Sequence, residues 1–332
     1  MADREPRFYG YRMEFRDEDG HPRRTSGFLG ALALAGPGSE VLPHERTLPK
    51  AKSDRLALLR ATRANLDPVW ALSLAPGLTD LLPATVLAEC TDDEGVRHQL
   101  LDGGDPDLIA AVQESVGRAP VVLADGHHRF ETATTFRDEE RAEGHRVPGA
   151  DAIMALVVEL ADRELTVQPI HRLLHGLPPG FDLRAALAPS FEVHDAGPAT
   201  PEGVGALRSG MRGPSGGLGL ADGGGLALLR PRPDSLERAL ADVADALRVV
   251  DATAFERLVL PALPRVEVTY RNDAATVAAL VTKGAADAAV LLRPVTVAQI
   301  RDAATAGLRM PQKTTFFAPK PRTGMVFRSL DL

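Results

Sequence analysis

Residues 121–133 read VVLADGHHRFETA, and this stretch decides how the fold is interpreted. Apolar residues lead directly into Asp125 and Gly126, and a pattern typical of a helix follows. The stretch therefore predicts a buried strand that turns sharply into a helix of about four turns, which ends at Gly144. A plain connection between the two elements would need only the glycine. The acid, the two histidines and the arginine beside it need another explanation.

These polar residues predict a site for an anion. The first N–H groups of a helix have no partner within the helix and carry a partial positive charge. Gly126 lets the backbone approach a ligand, and Arg129 can donate two hydrogen bonds to phosphate oxygens. His127 and His128 can donate to the same anion, while Asp125 can cap the helix or hold Mg²⁺ at a phosphate. We therefore expect a phosphate-binding turn whose ligand is a nucleotide.

Two alternatives for the turn stay open. The histidine pair could hold a structural metal, although successive helical residues point about 100° apart and no third ligand is evident nearby. Alternatively, Asp125 is only a helix cap and both histidines are surface residues.

Composition excludes several classes of protein. The chain of 332 residues carries a net charge of −7, whereas a dedicated nucleic-acid binder normally presents a basic face. No apolar run approaches the roughly 20 residues that cross a bilayer, and the N-terminus has no secretory signal. A single cysteine, Cys90, excludes an internal disulfide and a cysteine-based zinc site. We expect a cytoplasmic protein without a membrane partner, and the sequence leaves a homodimer open.

The order of segments predicts an α+β fold. Residues 1–175 contain two predicted hairpins, the central strand–turn–helix and a further buried strand. Residues 176–310 form an α/β accessory region, and residues 311–332 are expected to return to the site. Within the accessory region, residues 197–225 contain eleven glycines and no phosphate-loop motif. That segment is predicted to form loops and edge hairpins, and SLERALADVADAL after it a helix.

Two further stretches supply candidate site residues: VLPHERTLPKAKSDR at 41–55 and MPQKTTFFAPKPRTGMVF at 310–327. His44 and Glu45 are candidate general bases. The remaining candidates could bind phosphate: Arg46, Thr47, Lys50, Lys52, Lys313 and Thr314. Elsewhere, His171 in PIHRLLH either faces the site or is a core histidine.

Four segments, ADGHHRFETA, PHERTLPKAKSDRLALLRATRANLDPVW, TVQPIHRLL and PQKTTFFAPK, resemble the bacterial and archaeal family called domain of unknown function 1015. The resemblance implies a ParB/sulfiredoxin-like nucleotide-binding domain in which a Gly/His/Arg turn holds phosphates. Free-serine kinases share the D-G-H-H-R turn. By this resemblance, Asp125–Arg129 is the phosphate-binding and catalytic turn, with Asp125 and His128 in catalytic roles.

The resemblance implies an ADP- or ATP-dependent phosphotransferase that acts on a small-molecule hydroxyl such as that of serine, with Mg²⁺ at the phosphates. Relatives carry a further N-terminal segment before this start, and the kinases place a catalytic acid there. The alternative is therefore a non-catalytic nucleotide-binding or regulatory protein. Nucleic acid is the third and weakest choice of partner.

Overall fold

The computed structural model describes residues 3, 5–18, 20–34, 41–43, 52–213 and 216–331, without the side chains of Pro43, Lys52 and Ser53. It divides the chain into two compact units. Unit 1 comprises Met1–Thr166, Gly307–Arg309 and Phe317–Leu332, and unit 2 comprises Val167–Ala306 and Met310–Phe316. Helices and sheets are mixed in both units, so the α+β class is confirmed. Within the described ranges, no helix is long and apolar enough to span a membrane.

Unit 1 is built on an eight-stranded mixed sheet with the strand order β3-β8-β5-β9-β2-β1-β7-β6. Its strands are β1 (Phe8–Arg16), β2 (Pro22–Ala33), β3 (Val41–Pro43), β5 (Val69–Ser73), β6 (Val86–Thr91), β7 (Arg97–Gly103), β8 (Val121–Asp125) and β9 (Ala152–Glu159). A separate two-stranded ladder joins β4 (Ala64–Asn65) to β18 (Arg328–Ser329). Both predicted hairpins are confirmed, because β1 pairs antiparallel with β2 and β6 with β7.

The strand that precedes the anion turn lies inside this sheet. β8 runs parallel to β3 on one side and antiparallel to β5 on the other. Its first four residues are buried, which confirms the predicted buried strand. Pro43, the last residue of β3, pairs with Leu123. The described chain before residue 44 therefore ends beside the last residues of β8.

Among the described residues of unit 1, the α-helices are α1 (Lys52–Thr62), α2 (Pro106–Gly117) and α3 (His127–Ala142), and two short 3-10 helices span Thr79–Leu81 and Pro148–Asp151. Asp105 caps α2 by accepting hydrogen bonds from the N–H groups of Asp107 and Leu108. Helix α3 confirms the predicted length, and Gly144 follows it with a φ of 76°. Helix α1 ends at Thr62, and the next residue, Arg63, has a φ of 47° that a helix does not continue through.

The apolar core of unit 1 lies between these helices and the sheet. Phe136 and Ala133 of α3 and Val112 of α2 pack in the same buried cluster as Val69 and Leu123 of the sheet. Burying apolar side chains of this kind contributes about 25 cal/mol per Å² removed from water. The start of α3 is thus held against a rigid interior rather than on a free loop.

Unit 2 contains a six-stranded sheet with the order β12-β14-β13-β16-β11-β15. Its strands are β11 (His171–His175), β12 (Phe191–Gly197), β13 (Leu218–Asp222), β14 (Gly225–Pro231), β15 (Glu267–Arg271) and β16 (Ala288–Leu291). Its helices are α4 (Leu183–Leu187), α5 (Pro201–Met211), α6 (Pro233–Ala239), α7 (Asp245–Arg248), α8 (Asp251–Ala254), α9 (Ala274–Thr282) and α10 (Val297–Thr305). Two three-residue strands, β10 (Thr166–Gln168) and β17 (Phe316–Ala318), include residues of both units.

Two sequence expectations for unit 2 were wrong. The glycine-rich segment contains helix α5, because Thr200 caps it, Pro201 opens it, and Val204, Leu207 and Met211 supply a buried face. The single helix expected over SLERALADVADAL is interrupted between Ala239 and Asp245. The predicted functional boundaries at 175 and 310 stay predictions.

Candidate functional site

The candidate site is the turn at which β8 becomes α3. Gly126 is the residue before the helix, with a φ of 88°, and as a glycine it supplies no side-chain cap. The prediction that Asp125 caps α3 was therefore wrong. Asp125 Oδ1 instead accepts a hydrogen bond from the N–H of Gly126 at 2.6 Å. The first helical hydrogen bond runs from the N–H of Phe130 to the carbonyl oxygen of Gly126.

Only glycine suits position 126. Residues other than glycine rarely adopt a positive φ of this size. In addition, a Cβ atom at position 126 would lie 2.9 Å from Val69 Cγ1 and 3.0 Å from Arg129 Nη2. Val69 and Arg129 therefore occupy the space that a side chain at position 126 would fill. The N–H groups at the start of a helix, together with the helix dipole, are a favourable environment for an anion.

Lys320 reaches Asp125 from the C-terminal segment of unit 1. Its Nζ donates a hydrogen bond to Asp125 Oδ2 at 2.5 Å. Burial alone would raise the pKa of Asp125, but the charge and hydrogen bond of Lys320, with help from Arg129 and the Gly126 N–H, outweigh it. The pKa of Asp125 therefore lies below its ordinary value, and the carboxyl is ionised at neutral pH.

Arg129 turns back toward the loop that precedes β5. Its Nη1 donates to the carbonyl oxygen of Pro68 at 2.6 Å. Burial lowers the pKa of Arg129 from its usual value, and the positive charge of Arg55 lowers it further. The negative charges of Asp125 and Asp67 oppose this shift. The guanidinium remains charged, because the ordinary pKa of arginine is far above neutrality. Among the described residues, three positive side chains (Lys320, Arg129 and Arg55) and two negative ones (Asp125 and Asp67) thus interact at this end of α3.

The two histidines are half-buried in the first turn of α3. His128 Nδ1 lies 4.0 Å from Glu131 Oε2, one helical turn further on. Across the described part of the chain, no group of three or more His, Cys, Asp or Glu side chains is placed to hold a metal ion. The geometry therefore offers no described third ligand for the histidine pair.

A buried hydrogen-bond relay anchors the segment that carries Lys320. The N–H of Arg322 donates to Tyr11 Oη at 2.9 Å, and Tyr11 Oη contacts His98 Nδ1 at 2.8 Å. His98 Nε2 lies 3.0 Å from Asp92 Oδ2. Burial raises the pKa of Tyr11 to about 12, so its hydroxyl stays protonated and donates to His98. We call Tyr11, His98 and Asp92 the tail relay.

Sequence reasoning missed Lys320 and the tail relay as parts of the site. Lys320 does stand in the quoted segment PQKTTFFAPK, which was the available signal. A second contact of the C-terminal segment of unit 1 joins Thr323 Oγ1 to Asp67 Oδ1. Trp70 of β5 also packs on Phe317, with ring centroids 5.7 Å apart. The C-terminal segment is therefore fixed at several points of unit 1.

The remaining predicted site residues lie outside the described residues, at the start of α1, or in unit 2. Five of them lie outside the described residues: His44, Glu45, Arg46, Thr47 and Lys50. Lys52 is the first residue of α1, and its side chain is not described. Lys313 and Thr314 belong to unit 2. The carbonyl oxygen of Lys313 accepts from Arg172 Nη1 at 2.9 Å, and Thr314 Oγ1 donates to the carbonyl oxygen of Pro311. Their part in the site stays a prediction.

His171 is a core histidine of unit 2. It is buried, and its Nδ1 accepts a hydrogen bond from the N–H of Leu292 at 3.1 Å. Burial lowers the pKa of His171 to about 3, so the ring is neutral at physiological pH. This contact explains the histidine without a catalytic role.

Comparisons with known proteins give one family and several distant folds. A family described as "Protein of unknown function (DUF1015)" matches residues 1–253. No curated protein matches.

A conserved hypothetical protein from Pyrococcus furiosus is similar at 12% identity over 88% of this chain and 93% of that one, with a TM-score of 0.42. A free serine kinase in complex with AMP is similar at 13% identity over 84% of each chain, with a TM-score of 0.43. SbnI from Staphylococcus aureus, truncated at its C-terminus, is similar at 10% identity over 89% of this chain and 85% of that one, with a TM-score of 0.43.

Proposed function

We propose that this chain, which belongs to the DUF1015 family of proteins of unknown function, binds the phosphates of ADP or ATP at the turn Asp125–Arg129 and transfers a phosphoryl group to a small-molecule hydroxyl. The observation that carries the proposal is the start of α3 behind Gly126, a glycine with a φ of 88° that supplies no side-chain cap. Backbone N–H groups at such a start donate to phosphate oxygens, and the helix dipole favours their negative charge. We also propose the finer ParB/sulfiredoxin-like assignment for this domain.

The charged side chains around the turn fit a phosphate ligand. Lys320 supplies an ammonium, which binds phosphate as a point charge, and His127 and His128 stand on the first turn of α3. Asp125 is the described carboxylate that would hold a phosphate-bound Mg²⁺, which supplies further neutralisation of the phosphate charge. One carboxylate fits such an ion, because Mg²⁺ at phosphates keeps several water ligands.

The transfer forms a bond between the acceptor oxygen and the terminal phosphorus while the bond from that phosphorus to the nucleotide breaks. The nucleotide leaves with the electron pair, and the hydroxyl proton passes to a base. Asp125 is a weak base, since Lys320 holds its pKa below the ordinary value. His44 and Glu45, outside the described residues, stay the candidate bases.

One observation favours a second function, nucleotide binding without catalysis. Both carboxylate oxygens of Asp125 already accept hydrogen bonds, from Gly126 N–H and from Lys320 Nζ. A carboxylate engaged in this way is a weaker base and a weaker metal ligand than a free one, although each oxygen keeps a lone pair. Such a protein would bind ADP at the same turn and release it unchanged.

A binding and turnover assay separates the two functions. Calorimetry with ADP and ATP measures binding, and phosphorus NMR with a panel of amino-acid and hydroxy-acid acceptors measures transfer. The kinase predicts binding and a phosphorylated acceptor, whereas the binding protein predicts binding alone, with about 2.7 kcal/mol of stabilisation at 100 times Kd. His128→Asn should weaken ADP binding about tenfold, which corresponds to one charge-assisted hydrogen bond. His145→Asn, beyond the other end of α3, is the matched control. Absence of binding by either nucleotide would contradict both functions.

A further inference from the structure

A cleft in unit 1 lies beside the phosphate-binding turn and has no part in the function described so far. It runs between α1 and α3 and is floored by the short strand β4 and by Ile153 of β9. Its cavity volume is about 70 Å³, and it is partly open to solvent. A cavity with room for several water molecules admits a small organic molecule.

The walls of the cleft are apolar. Leu58 and Leu59 line it from α1, Leu66 from the chain after β4, and Ala133 from α3. Leu58 is 52% exposed, which is unusual for a leucine that faces a concave surface. An apolar part of a ligand would cover this side chain and remove it from water.

The polar groups of the cleft carry an excess of one positive charge. Arg55 and Arg129 both line it, and Asp67 supplies the one carboxylate among its described lining residues. Arg55 forms no ion pair with any described residue, and its charge disfavours the charged form of Arg129. An anion in the cleft would relieve that repulsion.

Thr132 adds an independent indication of a ligand. It is 4% exposed, lines the cleft, and its Oγ1 has no hydrogen-bond partner among the described residues. Leaving a buried hydroxyl without a partner costs about 1–3 kcal/mol. A polar group of a bound molecule would satisfy this oxygen.

We propose that the cleft between α1 and α3 binds the phosphoryl acceptor, and that this acceptor is a small organic monocarboxylate that has an apolar part and carries the hydroxyl to which the phosphoryl group is transferred. Arg55 binds the carboxylate, Thr132 donates or accepts a hydrogen bond, and the leucines hold the apolar part. A monoanion matches the single excess charge, whereas the Asp67 carboxylate would repel a dianionic phosphate. The acceptor role rests on the proposed phosphotransferase, because Arg129 belongs both to the turn and to the cleft.

Saturation-transfer NMR on the full chain tests the proposal with isovalerate, its uncharged amide isovaleramide, and inorganic phosphate. We expect isovalerate to bind, and the amide to bind at least fivefold more weakly, because it lacks the charge that Arg55 recognises. Arg55→Gln should weaken isovalerate binding about tenfold. Arg60→Gln, on the same helix and paired with Glu139, is the control and should change nothing.

Thr132→Val separates a ligand role from a structural one. The variant removes a hydroxyl without a partner, so it should fold at least as stably as the parent chain while binding isovalerate several-fold more weakly. Unchanged isovalerate binding in both Arg55→Gln and Thr132→Val would overturn the proposal. Displacement of isovalerate by phosphate in an Arg55-dependent manner would overturn the carboxylate assignment.

Parallel calorimetry with ADP distinguishes this inference from the proposed function. If ADP binds and isovalerate does not, with or without ADP, only the acceptor cleft is wrong. If isovalerate binds and neither ADP nor ATP does, the carboxylate site stands and its role as an acceptor site is wrong together with the phosphotransferase.

Discussion

Lys320 Nζ lies 2.5 Å from Asp125 Oδ2, although the two residues are 195 positions apart in the chain. The contact brings a cation from the C-terminal segment to the turn that opens α3. Burial raises the pKa of Asp125, and the charge of Lys320 is the largest of the effects that lower it. The charge state of the turn therefore depends on both ends of unit 1.

Lys320→Met should weaken ADP binding about tenfold, because it removes one charge-assisted contact to phosphate. Its effect on the free energy of unfolding should stay within about 1 kcal/mol, since both members of the pair are partly exposed. Lys320→Arg, which keeps the charge, should retain most of the ADP affinity. Calorimetry and urea unfolding measure the two quantities, and equal ADP affinity in all three proteins would contradict the prediction.

The turn itself could be predicted from sequence because its signals are local. The apolar run ends at Asp125, the helical pattern starts at His127, and Gly126 between them is the residue that a positive φ requires. The lysine contact could not be predicted in the same way. Residues 125 and 320 are joined by a tertiary path that no spacing in the sequence reports.

Local sequence patterns gave the wrong secondary structure for two segments of unit 2. Residues 197–225 are rich in glycine, which disfavours helices. Thr200, Pro201 and three buried apolar residues nevertheless form α5. The opposite happened after Pro233, where good helix formers continue past Ala239 but the helix stops. Burial of those three apolar side chains accounts for α5.

Gly126→Ala should destabilise the protein by about 1–3 kcal/mol, because alanine at this φ is strained and its Cβ would meet Val69 and Arg129. It should also abolish ADP binding, since the backbone at the turn would have to move. Gly77→Ala is the matched control. Gly77 has a φ of 90°, but a Cβ atom there meets nothing within 4 Å, so this variant reports the cost of the backbone conformation alone.

Urea unfolding and ADP calorimetry on both glycine variants check this prediction. A destabilisation no larger in Gly126→Ala than in Gly77→Ala would show that the close contacts of Gly126 are unimportant. Retention of full ADP affinity in Gly126→Ala would contradict the role of the turn.

Tyr11→Phe should cost about 1–3 kcal/mol of stability, because the N–H of Arg322 and His98 Nδ1 both lose a buried partner. It should also weaken ADP binding several-fold by loosening the segment that positions Lys320. Tyr9→Phe, two residues earlier on β1, is the control. Its hydroxyl meets Asp3 at the exposed surface, so its loss should have little effect on either quantity.

Hydrogen exchange at residues 317–331 distinguishes the two consequences for the tail relay. Exchange there should accelerate in Tyr11→Phe and remain unchanged in Tyr9→Phe. Unaltered exchange in Tyr11→Phe, together with normal ADP affinity, would show that the tail relay does not position Lys320.

His171 should make the protein less stable as the pH falls below neutrality. Its pKa is about 3 in the folded state, where burial excludes the charged ring, against an ordinary value of 6.5. Below pH 6.5 the unfolded chain therefore binds a proton that the folded chain does not, and the native state loses up to about 1.4 kcal/mol per pH unit until the pH approaches 3. Above pH 7 the residue should contribute no pH dependence.

His171→Asn keeps an acceptor for the N–H of Leu292 and cannot be protonated, so between pH 7 and pH 5 it should lose about 2 kcal/mol less than the parent chain. Urea unfolding at the two pH values measures the difference. His194→Asn, at an exposed histidine of β12, should follow the parent curve, and a parent curve that matched His171→Asn would mean that His171 titrates normally in the folded protein.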